Sequence, residues 1–263
     1  MASRVKKETE DAAAASYATP ALEKGLDILE LLAHQRDGLT KSEVARALNR
    51  TVSEIFRMLL CLQRRGYISV TSADRYVLSL RLFQLVQEHP PTERLLVEAI
   101  PRMHALVEVL QQSCHLGVLE GGRVVILAQT NAPGSVGFYV KAGSSIDLME
   151  AASGQAIMAH LPPEARQKVI VEWQKETGGH VPSDLNANME RIRVRGYEKR
   201  SSYQVKGVVN ISVPIMGRQD IAVAALTVPY IQKLQQGVSL EAIENALIET
   251  AKTISHAMGF LQG

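Results

Sequence analysis

Two four-residue phrases, Thr40-Lys-Ser-Glu43 and Thr51-Val-Ser-Glu54, stand with only residues 44–50 between them. Each has the form of a capping box, in which a threonine hydroxyl accepts from the amide three residues on and the glutamate reaches back to the threonine amide. A chain that opens one helix after position 40 and another after position 51 has room for about two turns and a tight connection. Asn49-Arg50 closes the first of these helices, and Leu39 and Val44 are spaced to staple its entry. The second helix runs through Arg65, where Gly66 supplies the residue that ends it. The pair predicts a helix-turn-helix.

The flanking sequence extends the motif. From Ala21, Leu22, Leu26, Leu29 and Ala33 recur at helical spacing until Asp37-Gly38 breaks the pattern. After Gly66, the β-prone runs Tyr67–Thr71 and Arg75–Leu78 are joined by Ser72-Ala73-Asp74, which suits a hairpin. Three helices and a hairpin within about sixty residues read as a winged helix-turn-helix. Charge agrees. Residues 36–81 hold nine Lys/Arg against four Asp/Glu, whereas residues 91–263 hold sixteen of each. A basic excess confined to one part of a chain points that part toward a polyanion, here duplex DNA, although a patch of this size also occurs as plain solvated surface.

Placing Ile55, Leu59 and Leu62 toward the core puts Ser53, Arg57 and Arg64 on the opposite face of the third helix. Arginine pairs with guanine edges and serine bonds a base or a phosphate. The alternative is an ordinary solvent-facing polar stripe. Thr51, at the helix start, is placed to meet the DNA backbone. Glu54 has two readings, the cap, which needs fewer assumptions, or acceptance from a cytosine in the groove. Arg75 and Tyr76 suit a wing touching sugar-phosphate, with Tyr76 equally placed as a core anchor.

Beyond the hairpin, Ser79 to His89 reads as a helix stopped by Pro90-Pro91, and Thr92 begins a longer one with Leu96, Ile100, Met103, Val107 and Leu110 inward. The period then changes. Cys114–Leu119, Val124–Gln129, Val136–Val140, Val208–Ile215 and Ile221–Val228 are β-rich. Helical segments fall near 151–160, 164–177, 184–195 and 239–261. Two groups of strands separated by helices predict an α+β domain on a mostly antiparallel sheet. Residues 1–19 carry no sustained apolar period and read as a flexible arm. No apolar run approaches the ~18 residues of a membrane span and the first residues lack a secretory core, which together predict a cytoplasmic chain without membrane partners. Two cysteines, Cys61 and Cys114, and seven scattered histidines give no metal-ligand spacing. No metal and no cofactor is expected.

Several phrases together resemble the IclR-type transcriptional regulators from about Ala21 to Phe260. They are the run from Ala21 to Leu32, Ser53-Glu-Ile-Phe-Arg-Met-Leu, Arg65-Gly-Tyr-Ile, Arg75-Tyr-Val-Leu-Ser-Leu-Arg-Leu, Ala152 through Pro162, Ile192-Arg-Val-Arg-Gly-Tyr197, and Gly207 through Val213-Pro-Ile. The resemblance implies a winged helix-turn-helix domain over 20–80, a linker helix over 81–91 and a GAF-like effector-binding α/β domain over 92–263. It also implies a homodimer or a dimer of dimers on a partly palindromic double-stranded operator. Carried over position by position, it places Ala152 and Ser153 on the floor of an effector pocket, Phe138, Ile146 and Val208 as apolar lining, and Arg200, Asn210 and Thr227 as polar positions. Arg200 and Asn210 depart from the family pattern, which has acidic side chains and a cysteine in those regions. A guanidinium at position 200 suggests an organic acid or aromatic effector whose carboxylate pairs with Arg200, unless that side chain faces solvent at a sheet edge.

Two other functions compete. Ala151-Ala-Ser-Gly154 has a superficial likeness to a nucleophile turn, but it lacks the first glycine of G-x-S-x-G, and no base partner is indicated by spacing. An architectural DNA-binding protein without a ligand would leave the charge-neutral second half with no task beyond association.

Overall fold

The computed structural model describes residues 19–233 and 237–260, in two compact units, 1–89 and 90–263. The expected arm falls almost entirely outside the described residues.

The first unit holds α1 (Pro20–Ala33), α2 (Lys41–Ala47), α3 (Val52–Arg64), the hairpin β1 (Ile68–Val70) and β2 (Tyr76–Leu78), and α4 (Arg81–Gln87). Both capping boxes form: Thr40 and Thr51 each accept from the third helical amide, and Glu43 and Glu54 each take the cap amide at 2.8 Å. Asn49 adopts φ +52 between the two helices, a left-handed turn that asparagine tolerates. Leu39 pairs with Tyr76 as a third, one-residue strand beside the hairpin. The core gathers Ile28, Leu32, Val44, Ile55, Leu59, Ile68 and Tyr76. Tyr76 is therefore the anchor rather than a wing contact. On α1 the buried residues are Gly25, Ile28 and Leu32, while Leu22 and Leu26 of the leucine stripe lie exposed.

The second unit begins with α5 (Pro90–Leu110) and ends with α9 (Leu240–Ala257). Pro90 and Pro91 open α5 rather than stopping α4, because the first amides of a helix need no partner within it. Between these helices run β3 (Cys114–Glu120), β4 (Arg123–Thr130), β5 (Ser145–Asp147), α6 (Ala152–Ala159), α7 (Pro163–Thr177), α8 (Leu185–Arg195), β6 (Glu198–Ser201), β7 (Val208–Met216) and β8 (Ala222–Ile231). The six strands form one antiparallel sheet in the order β5-β4-β3-β8-β7-β6. One face packs Leu116, Ile211, Val213 and Leu226 against α5 and α9. On α5, Leu95, Ala99 and Leu106 are buried beside Met103, Val107 and Leu110, while Ile100 is exposed. The other face carries α6, held against both β7 and β8.

Two strand expectations change. Residues 136–140 are not a strand, since their polar and glycine neighbours leave Val136 and Tyr139 exposed. The short edge strand is Ser145–Asp147 instead, and Glu198–Ser201 forms the opposite edge, where charged side chains hide a strand from an apolar-pattern reading.

Candidate DNA-reading surface and effector cavity

On α3, Ile55 and Leu59 are fully buried, and Ser53, Arg57 and Arg64 are all exposed on the opposite side. The structure thus brings together the three residues that the helical period selects. Neither Arg57 nor Arg64 has an ion-pair or hydrogen-bond partner among the described residues. Thr51 and Glu54 belong to the cap. The Thr51 hydroxyl lies 2.8 Å from Glu54 Oε2 and 3.1 Å from Ser53 Oγ. Bonds from Thr51, with Lys24 3.4 Å away, hold the Glu54 carboxyl down at about 2, so it is ionised and locally committed. The structure supports the cap reading of Glu54 over a groove contact.

Arg75 lies in the hairpin immediately before β2, with its guanidinium engaged within the first unit. Its guanidinium donates to the carbonyls of Asp37 and Gly38 and lies 3.0 Å from Glu43 Oε2. Gly38, at φ +68, sits so close to β2 that an added Cβ would fall 2.4 Å from the Tyr76 carbonyl oxygen. Arg75 thus ties the loop before α2 to the hairpin.

In the second unit, one residue from each of five strands lies in a straight row: Glu198 opposite Ser212, Ser212 opposite Thr227, Thr227 opposite His115, and His115 opposite Gln129. Their neighbours Leu116, Val213 and Leu226 face α5 and α9, so alternation turns the row toward α6. Ser212 and Thr227 satisfy each other at 2.7 Å. His115 Nδ1, Gln129 Oε1 and Ser153 Oγ are buried without a hydrogen-bond partner among the described residues. Below the row lies a narrow cavity of about 20 Å³, lined by His115, Phe138, Ile146, Ser153, Asn210 and Thr227, with Val140, Ala151, Ala152 and residues 202–204 completing the wall. Burial pushes the His115 imidazole down to about 4, so it is neutral at physiological pH. The α6 N-terminus, from Ala151 to Ser153, meets the cavity with no side-chain cap.

The description "IclR helix-turn-helix domain" matches residues 21–72, and "Bacterial transcriptional regulator IclR C-terminal" matches residues 92–256. The chain belongs to the IclR family. Among similar regulators, BhcR of Paracoccus denitrificans is 27% identical, covering 90% of this chain and 87% of its own length. KdgR of Escherichia coli is 24% identical, covering 90% and 92%. Two crystal structures share the fold at a TM-score of 0.72: an IclR homolog from Microbacterium hydrocarbonoxydans complexed with 4-hydroxybenzoate, 22% identical over 91% of this chain and 99% of its own, and Pseudomonas aeruginosa HmgR, 23% identical over 92% and 100%. The protein is a DNA-binding transcriptional regulator with an effector-binding C-terminal domain, not an enzyme. The Ser153 hydroxyl is one of the buried atoms without a hydrogen-bond partner among the described residues.

Of the expected effector residues in this regulator, Phe138, Ile146, Ala152, Ser153, Asn210 and Thr227 converge on the cavity, and Val208 and Arg200 do not line it. Val208 lies at the start of β7, opposite Ile231, away from the cavity wall. Arg200 is consumed elsewhere. Its Nε donates to Glu198 Oε1 at 2.9 Å, and Nη1 donates to the Met149 and Glu150 carbonyls at 2.9 and 3.2 Å. Glu198, almost fully buried, also meets Arg195 at 3.2 Å, so the guanidinium balances a buried carboxylate. His115, Tyr203 and Gln204 were missed by sequence reasoning. A histidine inside the apolar run Cys114–Leu119 was the available signal for the first, whereas the loop residues Tyr203 and Gln204 offered none. Among the described residues, no three His, Cys, Asp or Glu side chains gather closely enough to hold a metal ion.

Proposed function

We propose that this regulator binds a partly palindromic operator through Ser53, Arg57 and Arg64, and that an organic acid or aromatic effector that enters and widens the narrow α6 cavity shifts it between operator-binding and non-binding states. Residues 20–80 read DNA, residues 81–91 carry the link, and residues 92–263 sense the effector. The carrying observation is a pair of buried, unpartnered polar atoms, His115 Nδ1 and Ser153 Oγ, in the wall of one cavity. Leaving such groups unsatisfied is unfavourable by about 1–3 kcal/mol each, and a hydrogen-bonding ligand removes that penalty. With His115 neutral and Arg200 engaged, a carboxylate would be received by the amides at the start of α6 rather than by a guanidinium. The 4-hydroxybenzoate held by the Microbacterium relative is of this chemical class.

Association as a homodimer, or as a dimer of dimers, is supported by the stripe that α1 leaves outside the core. Leu22, Leu26, Leu29, Cys61 and Leu82 line a largely apolar groove in the first unit, with Arg57 and Arg65 also in its wall. A two-fold pairing of reading helices also matches a palindromic site. Acting on operators places the regulator in the cytoplasm. No described helix is long and apolar enough to cross a membrane.

A thermal-shift screen of carboxylic acids and phenolics, repeated with operator duplex present, tests the reading. A cognate effector raises Tm, changes operator affinity, and loses both effects in Ser153→Ala. Binding that leaves operator affinity unchanged for every compound that raises Tm overturns it.

A further inference from the structure

The reading face of α3 is not wholly polar. Leu60 sits inside the stripe formed by Ser53, Arg57 and Arg64, since positions 53, 57, 60 and 64 recur at helical spacing. It is 46% exposed, and Phe56, one turn earlier, is 40% exposed. Neither belongs to the apolar groove of Leu22, Leu26 and Cys61, which lies on the other flank of the helix. The Phe56 ring is nonetheless held in place, with the Lys41 ammonium 5.1 Å from its centroid. A cation over an aromatic face fixes both groups, and here it joins a positive charge suited to phosphate to an apolar plate beside the base-reading arginine.

We infer that Phe56 and Leu60 read the 5-methyl groups of thymine in the operator, an inference that rests on the DNA-reading role of α3. The major groove offers one apolar feature, the thymine methyl, and aliphatic and aromatic side chains on a recognition helix meet it directly. Charge complementarity favours this occupant over a second copy of the chain. Phe56 and Leu60 are bounded by Lys41, Arg57 and Arg64, whose positive charges suit the phosphates on either side of a groove. The same surface is blind to whether the methyl sits on uracil or cytosine, so 5-methylcytosine stands in for thymine as far as the methyl contact is concerned.

The test uses the full chain. Duplexes are selected from a randomised pool, and each thymine of the selected site is replaced in turn by deoxyuridine, which removes only the methyl. At one or two positions per half-site, uracil weakens binding about four-fold, the value of one buried methyl group. There, 5-methylcytosine opposite guanine binds more tightly than cytosine. In Phe56→Ala or Leu60→Ala, each confirmed as folded by its own melting transition before binding is measured, the uracil and thymine duplexes bind alike at the matching position. The inference is overturned if every uracil duplex binds as the thymine duplex does, or if the methyl effect persists in both variants. Methyl-independent binding with a changed oligomeric state in Phe56→Ala assigns the patch to a second copy instead. Recovery of no preferred sequence from the pool removes the DNA-reading role and this inference with it.

Discussion

His115 sits in surroundings unlike those of an ordinary surface histidine. Its imidazole is fully buried, carries an unpartnered Nδ1, and titrates near 4 rather than 6.5. The unfolded chain takes up a proton as pH falls through 6.5, while the folded chain resists until about 4, so the contribution is complete above 6.5 and is lost as pH falls toward 4. The loss amounts to about 3 kcal/mol over that window. In urea denaturation of unit 90–263, followed by its single tryptophan, wild type is expected to lose about 2 kcal/mol more than His115→Gln between pH 6.5 and 5. Equal pH slopes would show that the imidazole is not held neutral. Thr51 tests a different assignment. Because its hydroxyl and amide are both engaged by the box, Thr51→Ala is expected to destabilise the first unit by about 1 kcal/mol. Glu54→Gln keeps an acceptor at the cap and should leave operator sequence preference intact. A shift of preference at one base pair in Glu54→Gln would restore the groove role.

At the scale of elements, the helix-turn-helix was legible because its determinants are local. Two capping boxes, a left-handed Asn49 and a terminal Gly66 each specify their turn from within four or five residues. The inward face of α1 was not legible in the same way. Leu22, Leu26 and Leu29 form the more obvious stripe, yet Ile28 and Leu32 enter the core, and nothing along the chain distinguishes a stripe for the core from one for a partner. The cavity was half legible. Positions on the α6 entry carried over by resemblance, while the row from Glu198 to Gln129 exists only once five strands are in register, and Arg200 could not be assigned before Glu198 was known to be buried beside it. The α6 entry also depends on a glycine. A Cβ on Gly154 would lie 2.1 Å from the Leu148 carbonyl oxygen and 3.0 Å from its Cα, both backbone atoms that cannot turn aside. Gly154→Ala must therefore push α6 off the loop that carries Leu148 and Met149, at about 3 kcal/mol, the upper end for overpacking. Trp173, whose indole donates to Asp147 just before that loop, reports the change as a lower urea midpoint. The first unit, which shares none of these contacts, keeps its own thermal transition. An unchanged midpoint would mean that the helix start tolerates displacement, and the cavity floor would then not be rigid.

For the whole molecule, the uneven charge matters more than its sum. The basic excess of residues 36–81 is smaller in effect than its count, because Arg50, Arg75 and Arg81 already face Asp27, Glu43 and Glu88. The cations left for phosphate include Lys41, Arg57 and Arg64. Every phosphate the protein ceases to neutralise lowers the slope of log K against log salt by about 0.9, so Arg64→Ala is expected to reduce the operator-binding slope by about one unit and to leave stability unchanged. Arg75→Ala should do the reverse. Its guanidinium holds the carbonyls of Asp37 and Gly38 and pairs with Glu43, so its removal lowers the melting temperature of the first unit and leaves the slope of the folded protein as it was. The two variants remove the same formal charge from the same domain, which makes the comparison sensitive to position rather than to net charge. If instead both flatten the slope equally, binding follows the summed field of the domain, and the specific reading face on α3 loses its main electrostatic support.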